Sequence, residues 1–305
     1  MHDSDSSEVR IFIVIPVLNR WNQTSMCLHH IKSSTYKNFE ILVVDHGSTD
    51  ETEKALHEQY PDVTHIRADI SLWWTGATNI GIREAMKRGA HLIMLLNNDC
   101  YVEPDTLRHL STHAASCGEA IIAPLQRSLE NGRTSPVTAT TCFLLGFSTL
   151  ALPWKLSHRP GAHGLASTSL IIGGRGVLIP ASVFERVGLL DEIRLPHYGS
   201  DHDFYLRCRN HGVPLYIALD AYVDIDEKST TQASRLGEMN IAQFVDSLTN
   251  PRSHRNLKDL SALFKKHYPI KGLYLVGVVL NMLRYFATYL YKRLAYLLYG
   301  RFRHC

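Results

Sequence analysis

The stretch HLIMLLNNDC, from His91 to Cys100, joins a run of aliphatic residues to a polar end. The aliphatic run has the length and composition of a strand that is buried on both faces. It ends on two amides and a carboxylate, side chains that a strand does not need for its stability. Because ligands bind beyond the carboxyl ends of strands in open α/β sheets, the stretch predicts a central strand with Asp99 at a binding edge.

Strands and helices alternate around this stretch over the first 125 residues. The predicted strands are 11–17, 39–45, 63–68, 91–96 and 120–124, and the predicted helices are 22–34, 48–60, 77–89 and 103–116. Ser48 and Glu51 have the spacing of a capping box at the start of the second helix. Buried strands that alternate with helices indicate an α/β fold of three layers around a mainly parallel sheet.

The second half of the chain is less regular. From Gln126 to Thr168 the periodicity is lost, and we interpret this region as irregular structure with a hairpin and a mobile loop. Further on, the sequence predicts two strands around a Gly-rich turn and a helix over 169–192, a helix over 200–212, one or two strands over 214–226 and an amphipathic helix over 255–269.

Composition narrows the class of protein. The 305 residues are 45% hydrophobic and 20% charged, which is typical of a globular protein with a sizeable core. The six cysteines are scattered without a C-x-x-C pair, which argues against a zinc ribbon or a disulfide scaffold and indicates a reducing compartment. Residues 1–10 are polar and acidic, so we interpret them as an N-terminal extension without a secretory signal.

Charge is unevenly distributed along the chain. From Lys265 to Cys305 there are eight basic residues and no acid, whereas the rest of the chain has 24 basic and 29 acidic residues. The longest uncharged run in this tail, Gly272 to Leu283, is shorter than the about 20 residues that span a bilayer. Basic residues among leucines and tyrosines predict amphipathic helices in a membrane interface, either one helix or two with a bend. A helical pair that packs on the domain or on a second subunit is the alternative, and the tail is too apolar to bind nucleic acid.

Three aspartates follow predicted strands: Asp45, Asp69 and Asp99. A single aspartate at a strand end is commonly a turn former or a helix cap, and Asp45 could be a turn residue because Ser48 or Asp50 is available to cap the next helix. Asp45 and Asp99 both lie outside the obvious cap positions. Two such acids at one edge of a sheet indicate a ligand site.

Several motifs resemble a known family. VIPVLNR (14–20), ILVVDHGSTDET (41–52) and LLNNDC (95–100) are similar, in order and spacing, to the nucleotide-sugar domain of the family 2 glycosyltransferases, which have a GT-A fold. Residues 173–212 resemble the acceptor half of the same family, including its bacterial rhamnosyltransferase-like members. The resemblance implies a donor-binding half and then an acceptor-binding, catalytic half, and the basic, apolar tail adds a predicted membrane-association region. We place these parts at 11–125, 126–250 and 251–305.

The resemblance assigns the donor's nucleobase to the end of the second strand. Asp45 matches the acid that accepts a hydrogen bond from the base, a role suited to a carboxylate that faces an N–H group. Pro16 and Asn19 lie on the adjoining turn and are expected to shape the base pocket.

The stretch SLWWTGATNIGI (71–82) lies where relatives have a glycine-rich loop. Trp73 and Trp74 cannot both face the core at one strand end, so we expect one of them, Trp74, to line the donor pocket. Gly76 would admit the phosphates close to the backbone, and Asn79 would begin the following helix. The alternative is that both tryptophans pack between the loop and the sheet.

Asp99 matches the last acid of the family's D-x-D motif, which implies that it holds Mg²⁺ or Mn²⁺ on the donor diphosphate. The first acid of that motif is Asn97 here, and Asn98 between them is expected to contact the donor. One carboxylate leaves much of the coordination to phosphate, water and a residue of the second half. His197 and Asp224 are the candidates for that residue.

The stretch GSDHDFYLRC (199–208) matches the family pattern E-D-x-D-x-x-x-R. Asp201 corresponds to the catalytic aspartate, which would take the proton of the acceptor hydroxyl; the alternative for it is a helix N-cap. Asp203 and Arg207 would contact the acceptor or the diphosphate, but their spacing also fits an i,i+4 ion pair. Ser200 stands where relatives commonly have Glu.

The Gly-rich turn before this helix completes the set of candidate residues. Gly174 and Arg175 lie where relatives present the acceptor and contact the diphosphate, and an exposed turn arginine is the alternative. The sequence as a whole predicts a metal-dependent, inverting hexosyltransferase that moves a sugar from a nucleotide-diphosphate donor to a lipid-linked glycan. We expect it to act in polysaccharide biosynthesis, in the cytoplasm and peripherally on the inner face of the cell membrane.

Two other functions remain open on the sequence. A nucleotidyltransferase also places acids at strand ends, but that class usually has a Gly-rich, basic phosphate loop after its first strand, which VLNRWNQ (17–23) lacks. A non-catalytic membrane-bound scaffold that retains the fold is suggested by Asn97 and Ser200.

Overall fold

A computed structural model describes residues 9–134, 139–151, 164–226 and 236–299. Most of the described strands belong to one sheet, and the described helices lie mainly on its two faces. The strands are β1 (Ile11–Val17), β2 (Phe39–Asp45), β3 (Thr64–Arg67), β4 (Leu92–Leu96), β5 (Cys100–Val102), β6 (Ile121–Ser128), β7 (Ala139–Cys142), β8 (Phe147–Ala151), β9 (Leu165–Ser167), β10 (Arg175–Pro180) and β11 (Leu215–Ile225). The helices are α1 (Trp21–Lys32), α2 (Thr52–Gln59), α3 (Trp73–Lys87), α4 (Thr106–Cys117), α5 (Ala181–Val187), α6 (Ser200–Asn210), α7 (Ile241–Thr249), α8 (Leu257–His267) and α9 (Tyr274–Tyr299).

The main sheet has the order β3-β2-β1-β4-β10-β6-β11-β5, with β9 also paired to β11. The first four strands in this order are parallel, as the alternation of strands and helices predicts. β10 runs antiparallel between β4 and β6, and β11 is parallel to β6. The predicted hairpin between the two halves is confirmed as a separate pair, β7 and β8.

Alternate residues of β1 belong to two hydrophobic cores. Ile11, Ile13 and Ile15 face the core that contains the apolar residues of α1, α2 and α4. Phe12 and Val14 face the core that contains those of α3, α5, α6 and α8. Because a strand turns successive side chains to opposite faces, a continuous apolar run requires cover on both sides. The predicted three-layer α/β arrangement is therefore confirmed.

The approach of α3 to the sheet depends on a glycine. A Cβ atom at Gly81 would lie 2.3 Å from Cγ1 of Val14, a separation that a packed core cannot accommodate. The helix rests on β1 at this point through its backbone. This contact fixes the height of the α3 N-terminal end above the carboxyl edge of the parallel strands.

Two local predictions are wrong, and one strand was missed. The third helix begins at Trp73 and not at Ala77, with Trp73 itself at a positive φ of 52°. The capping box of Ser48 is absent, because Ser48 N donates to the Asp45 carboxylate at 2.7 Å and the side chain of Asp50 accepts from Thr52 N at 3.1 Å. The short strand β5 and its pairing were not predicted.

The predicted helix in the C-terminal region is confirmed as one helix, α9, up to Tyr299. Two of its polar side chains face the protein: Asn281 Nδ2 and Arg284 Nη2 donate to the carbonyl oxygen of Gly146 at 2.7 and 3.2 Å. Gly146, with φ of 75°, also lies so close to the α9 backbone that a Cβ atom there would be 2.5 Å from Asn281 N. None of the helices in the described ranges is long and apolar enough to cross a membrane.

Two predictions lie outside the described residues. The polar extension is described only from residue 9, and the centre of the predicted mobile loop, residues 152–163, is not described.

Candidate active site

Several predicted site residues meet at one edge of the sheet. β1, β2 and β4 are parallel neighbours, so their carboxyl ends bring Asn19, Asp45 and Asn97 to the same edge. β10 is antiparallel to β4 and begins at Arg175, opposite Leu96. The Gly-rich turn of the second half therefore reaches the same edge, and Asn97 N donates to Gly174 O at 3.1 Å.

Asp45 is fully buried at the end of β2. One carboxylate oxygen accepts from Ser48 N at 2.7 Å and Gly47 N at 3.2 Å, and the other accepts from Arg67 Nη1 at 2.6 Å. The Asp45 carboxylate has no exposed surface, and both of its oxygens are already bonded. The guanidinium of Arg67 is half-exposed, so it is the group of this pair that a ligand can reach.

Arg67 was missed in the sequence because it ends the weakest of the predicted strands. The register of β2 and β3 places it directly beside Asp45, and its second nitrogen donates to Ser48 O at 3.0 Å. The adjoining turn is held by Asn19, whose side-chain oxygen accepts from Thr49 N at 2.7 Å. Pro16 is buried in β1, the strand that leads into this turn, and it lies opposite Val44 of β2.

The end of β4 is fixed by a tryptophan. Trp74 Nε1 donates to Asn97 Oδ1 at 2.9 Å, and the Trp74 ring lies so close to Gly174 that a Cβ atom there would be 3.0 Å from it. The neighbouring ring of Trp73 instead contacts His197, with ring centroids 5.6 Å apart. The two tryptophans thus have different neighbours: Trp74 packs against the core beside Gly174, and Trp73 lies beside His197.

Asp99 is half-buried just after β4, in the turn that leads to β5. The pairing of β5 with β11 brings Asp226 beside it, and Asp226 N donates to Asp99 O at 3.0 Å. Asn98, the expected donor contact, donates from Nδ2 to Thr24 Oγ1 at 3.0 Å. Burial, followed by the negative charge of Asp99, raises the pKa of the Cys100 thiol well above its usual value.

Asp226 was not among the predicted residues, whereas Asp224 was. Both oxygens of Asp224 accept from Arg127, at 2.6 and 3.0 Å, so this acid is committed to an ion pair. Asp99 and Asp226 at one edge provide carboxylate oxygens, the ligands that Mg²⁺ and Mn²⁺ prefer, and these residues fit a hard divalent cation.

His197 keeps a buried Nδ1 without a hydrogen-bond partner among the described residues. Burial, with smaller contributions from His46 and Arg252, lowers its pKa to about 4, so the ring is neutral at pH 7.

Asp201 lies in the first turn of α6. The residue at the N-cap is Gly199, so the N-cap alternative for Asp201 is wrong. Its half-buried carboxylate makes no hydrogen bond or ion pair with any residue in the described ranges. Ser200 beside it is fully buried, with its hydroxyl oxygen 2.8 Å from that of Thr75.

Asp203 and Arg207 form the i,i+4 ion pair that their spacing predicts, at 2.9 Å. The remaining groups of Arg207 donate to the carbonyls of Val187 and Leu189, and Asp203 also accepts from His267 at 2.8 Å. Burial by itself raises the pKa of Asp203, but hydrogen bonds from His267 and Lys266 and the charge of Arg207 outweigh it and hold the pKa at about 2. These bonds give both residues a structural role in holding α6.

The two candidates on α3 also have structural partners. Asn79 lies within the helix, fully buried, and its amide bonds to Leu190 O at 2.9 Å, Leu190 N at 3.2 Å and the Glu192 carboxylate at 2.8 Å. Gly76 lies in a regular helical turn against Leu72. Asn79 was expected to begin the helix, but it lies inside it. All of its side-chain polar atoms are bonded to the second half of the chain.

Arg175 is held in a polar chain behind the Gly-rich turn. Its Nη1 donates to Gln126 Oε1 at 3.0 Å, and Gln126 Nε2 donates to Ile172 O at 3.0 Å. Tyr205, one turn along α6 from Asp201, donates to Gly173 O at 3.1 Å. The turn and the N-terminal end of α6 are therefore tied together.

Comparisons with known proteins agree on one family. A family model described as Glycosyl transferase family 2 matches residues 12–187. An uncharacterized glycosyltransferase of Rickettsia typhi is 25% identical over 309 residues, which cover 94% of this chain and 90% of the relative. The dTDP-rhamnosyl transferase RfbF of Shigella flexneri is 26% identical over 144 residues, which cover 47% of this chain and 45% of that protein.

Solved structures share the fold. The crystal structure of S. aureus TarS 1–349 superposes with a TM-score of 0.53 at 14% identity, covering 85% of this chain and 72% of that one. The crystal structure of GalNAc-T7 with UDP, GalNAc and Mn²⁺ gives a TM-score of 0.60 at 14% identity, covering 91% of this chain and 58% of that one. These likenesses confirm the predicted GT-A fold.

Proposed function

The chain belongs to glycosyl transferase family 2, and from that membership we propose that it transfers a hexosyl group from a nucleoside-diphosphate sugar to a hydroxyl of a lipid-linked glycan, with inversion at the anomeric carbon. Residues 11–125 bind the donor in this proposal, 126–250 bind the acceptor and carry the catalytic base, and 251–305 contact the membrane.

One continuous series of contacts supports this arrangement. Asn97, at the diphosphate end of the donor site, is bonded to Trp74; the next residue, Thr75, is 2.8 Å from Ser200; and Ser200 precedes Asp201. The acid that matches the family's catalytic aspartate is thus built into the same rigid edge as the donor site, and its carboxylate is not consumed by a bond to the described residues. This series is the observation that carries the proposal.

The residues divide the reaction as follows. Asp201 accepts the proton of the acceptor hydroxyl as that oxygen attacks the anomeric carbon, and the bond to the diphosphate breaks on the opposite face. Asp99 and Asp226 would hold Mg²⁺ or Mn²⁺, which offsets the charge that develops on the leaving diphosphate when bound. Arg67, positioned by Asp45, contacts the nucleobase from the end of β3.

Names of relatives support the class of donor. TarS has been solved with UDP and with UDP-GlcNAc, GalNAc-T7 with UDP and Mn²⁺, and RfbF is named a dTDP-rhamnosyl transferase. Uracil and thymine both present an N–H between two carbonyl oxygens. The half-exposed guanidinium of Arg67 can donate to either of those carbonyl oxygens, which favours a pyrimidine nucleotide.

The membrane contact rests on the exposed side of α9. Asn281 and Arg284 of the helix face the protein, as do Val278 and Tyr289, whereas other apolar side chains of the helix are exposed. Among the exposed ones, Leu283, Leu290 and Leu294 repeat at helical spacing on one face. The exposed lysines Lys265, Lys271 and Lys292 complement an anionic lipid surface. An apolar face bordered by lysines favours a bilayer interface with acidic lipids, where a lipid-linked acceptor is found.

Vesicle sedimentation tests the membrane contact. We expect the wild type to sediment with vesicles that contain phosphatidylglycerol and the double variant Leu283→Asp/Leu294→Asp to remain in solution. Ile193→Asp is the matched control, because Ile193 is 85% exposed and is not part of α9. Equal sedimentation of the double variant, or loss of a dimer in place of lipid binding, would contradict the proposal.

Transfer assays test the enzyme. Purified protein is incubated with labelled UDP-, dTDP- and GDP-sugars, Mn²⁺ and membrane extracts that contain glycolipid acceptors. We expect label from one donor class to enter the lipid fraction, with the inverted anomeric configuration by NMR. A wild type that binds nucleotide but transfers from no donor would favour the non-catalytic scaffold.

A further inference from the structure

Three potential metal ligands converge behind the nucleobase pocket. Glu53 and His57 lie one turn apart on α2, and His65 lies on the neighbouring strand β3. A carboxylate oxygen of Glu53 and one ring nitrogen from each histidine all lie within 4.8 Å of one another. None of these side chains has a role in the proposed transfer reaction.

The two imidazoles approach each other in a way that an ion would explain. His65 Nδ1 and His57 Nε2 are 3.4 Å apart, beyond a good hydrogen bond, with the rings nearly perpendicular. Two ring nitrogens aimed at a common point, with a carboxylate beside them, form an N₂O donor set. Imidazole suits Zn²⁺, whereas Mg²⁺ and Ca²⁺ prefer oxygen ligands alone.

A second observation concerns the other nitrogen of His65. The His65 side chain is only 8% exposed, and its Nε2 is buried without a hydrogen-bond partner among the described residues. This nitrogen faces the Asp45 carboxylate at 3.7 Å. A metal-bound histidine commonly donates its second N–H to a carboxylate, which fixes the tautomer and turns the lone pair of the first nitrogen toward the metal.

From this geometry we propose that Glu53, His57 and His65 form a binding site for Zn²⁺ or a similar borderline divalent ion, separate from the Mg²⁺ or Mn²⁺ site at Asp99. The three ligands leave a fourth position for water, and Asp45 supports His65 from behind.

Binding would also change the surroundings of the nucleobase pocket. Glu53 pairs with Arg67 at 3.3 Å, so a bound ion competes for the same carboxylate. The ion would join α2 to β3. Zn²⁺ should therefore raise the melting temperature of the protein, because a ligand that binds only the folded state stabilises it.

The experiment is a Zn²⁺ titration of the full chain by competition with a chelating dye, with reductant and excess Mg²⁺ present so that thiols stay reduced and oxygen-only sites are filled. We expect one equivalent of Zn²⁺ to bind, with affinity reduced at least about tenfold in His57→Ala and in Glu53→Gln. Both side chains are exposed, so neither substitution should prevent folding. His29→Ala, an exposed histidine on α1, is the matched control and should bind as the wild type does.

Cobalt gives an independent readout. Co²⁺ in the site should show the visible absorption of a four-coordinate ion without a strong thiolate charge-transfer band, and the rise in melting temperature should be absent from His57→Ala. Zn²⁺ binding that persists in both variants, a thiolate band, or no binding by the wild type would overturn the proposal.

Discussion

Asp226 and Asp99 are joined across the two halves of the chain: the backbone N–H of Asp226 donates to the carbonyl oxygen of Asp99 at 3.0 Å. The bond follows from the pairing of β5 with β11, which lays the last residues of β11 beside the turn after β4. Asp99, the acid of the LLNNDC motif, thus has a second acidic residue as its neighbour. In the proposed enzyme this second acid compensates for Asn97, which stands where relatives have an acid.

The first prediction concerns the proposed base. Asp201→Asn should lower the rate of sugar transfer by roughly 10²–10⁴-fold, because it removes the proton acceptor. The free energy of unfolding should change by less than about 1 kcal/mol, because the substitution removes only the favourable interaction of a negative charge with the first turn of α6. Steady-state kinetics and thermal unfolding measure the two effects. A variant with wild-type turnover would exclude Asp201 as the base.

Asp203, two residues along, should behave in the opposite way. Its pKa in the folded protein is about 2, below the usual 3.8, so its bonds stabilise the fold fully above about pH 5 and are lost as the pH falls toward 2. Asp203→Asn should therefore cost about 2 kcal/mol near pH 6, and the difference from wild type should shrink as the pH is lowered. Urea unfolding at a series of pH values measures it. A difference that stays constant with pH would mean that the charge of Asp203 does not stabilise the fold.

Asn79 tests whether the α3 motif binds the donor. Because its amide is buried and bonded to Leu190 and Glu192, Asn79→Ala should cost about 1–3 kcal/mol of stability and leave nucleotide affinity unchanged. Thermal unfolding and nucleotide titration on the same preparation separate the two effects. A weaker affinity at unchanged stability would restore the donor role that the sequence motif implies.

Arg67 should determine nucleobase affinity. Arg67→Ala should weaken nucleotide binding by roughly ten- to a hundredfold, the effect of losing a hydrogen bond to a charged group, and also destabilise the fold by leaving Asp45 buried without its ion pair. Arg67→Lys keeps a charge beside Asp45, so it should recover stability but not affinity, because an ammonium cannot reproduce the planar fork. Full recovery of affinity by lysine would reduce the role of Arg67 to charge alone.

The parallel part of the fold was predictable because it depends on local pattern. The strands at 11–17 and 39–45 were predicted to the residue, since runs buried on both faces have abrupt polar ends. The start of α3 was not predicted correctly. The stretch before Ala77 contains glycine, adjacent tryptophans and a residue at positive φ, which are typical of a loop.

The site was predictable only where it belongs to single strand ends. Asp226, Arg67 and the burial of Ser200 depend on which strands and helices become neighbours. The order β4-β10-β6-β11 cannot be read from periodicity, and the partner of Asn79 lies 113 residues away. A motif alone therefore assigned Asn79 to the donor, whereas its contacts assign it to the packing of the two halves.

The decisive experiment is a calorimetric titration of the wild type with UDP, dTDP and GDP, each with and without Mn²⁺, repeated on Asp99→Ala. Asp62→Ala is the control, because Asp62 is an exposed acid that precedes β3 at the opposite edge of the sheet. We predict that one pyrimidine diphosphate binds the wild type and the control in a Mn²⁺-dependent way and that Asp99→Ala loses this binding. Equal binding by Asp99→Ala, or no binding of any nucleotide by the wild type, would contradict a metal–diphosphate site at the end of β4.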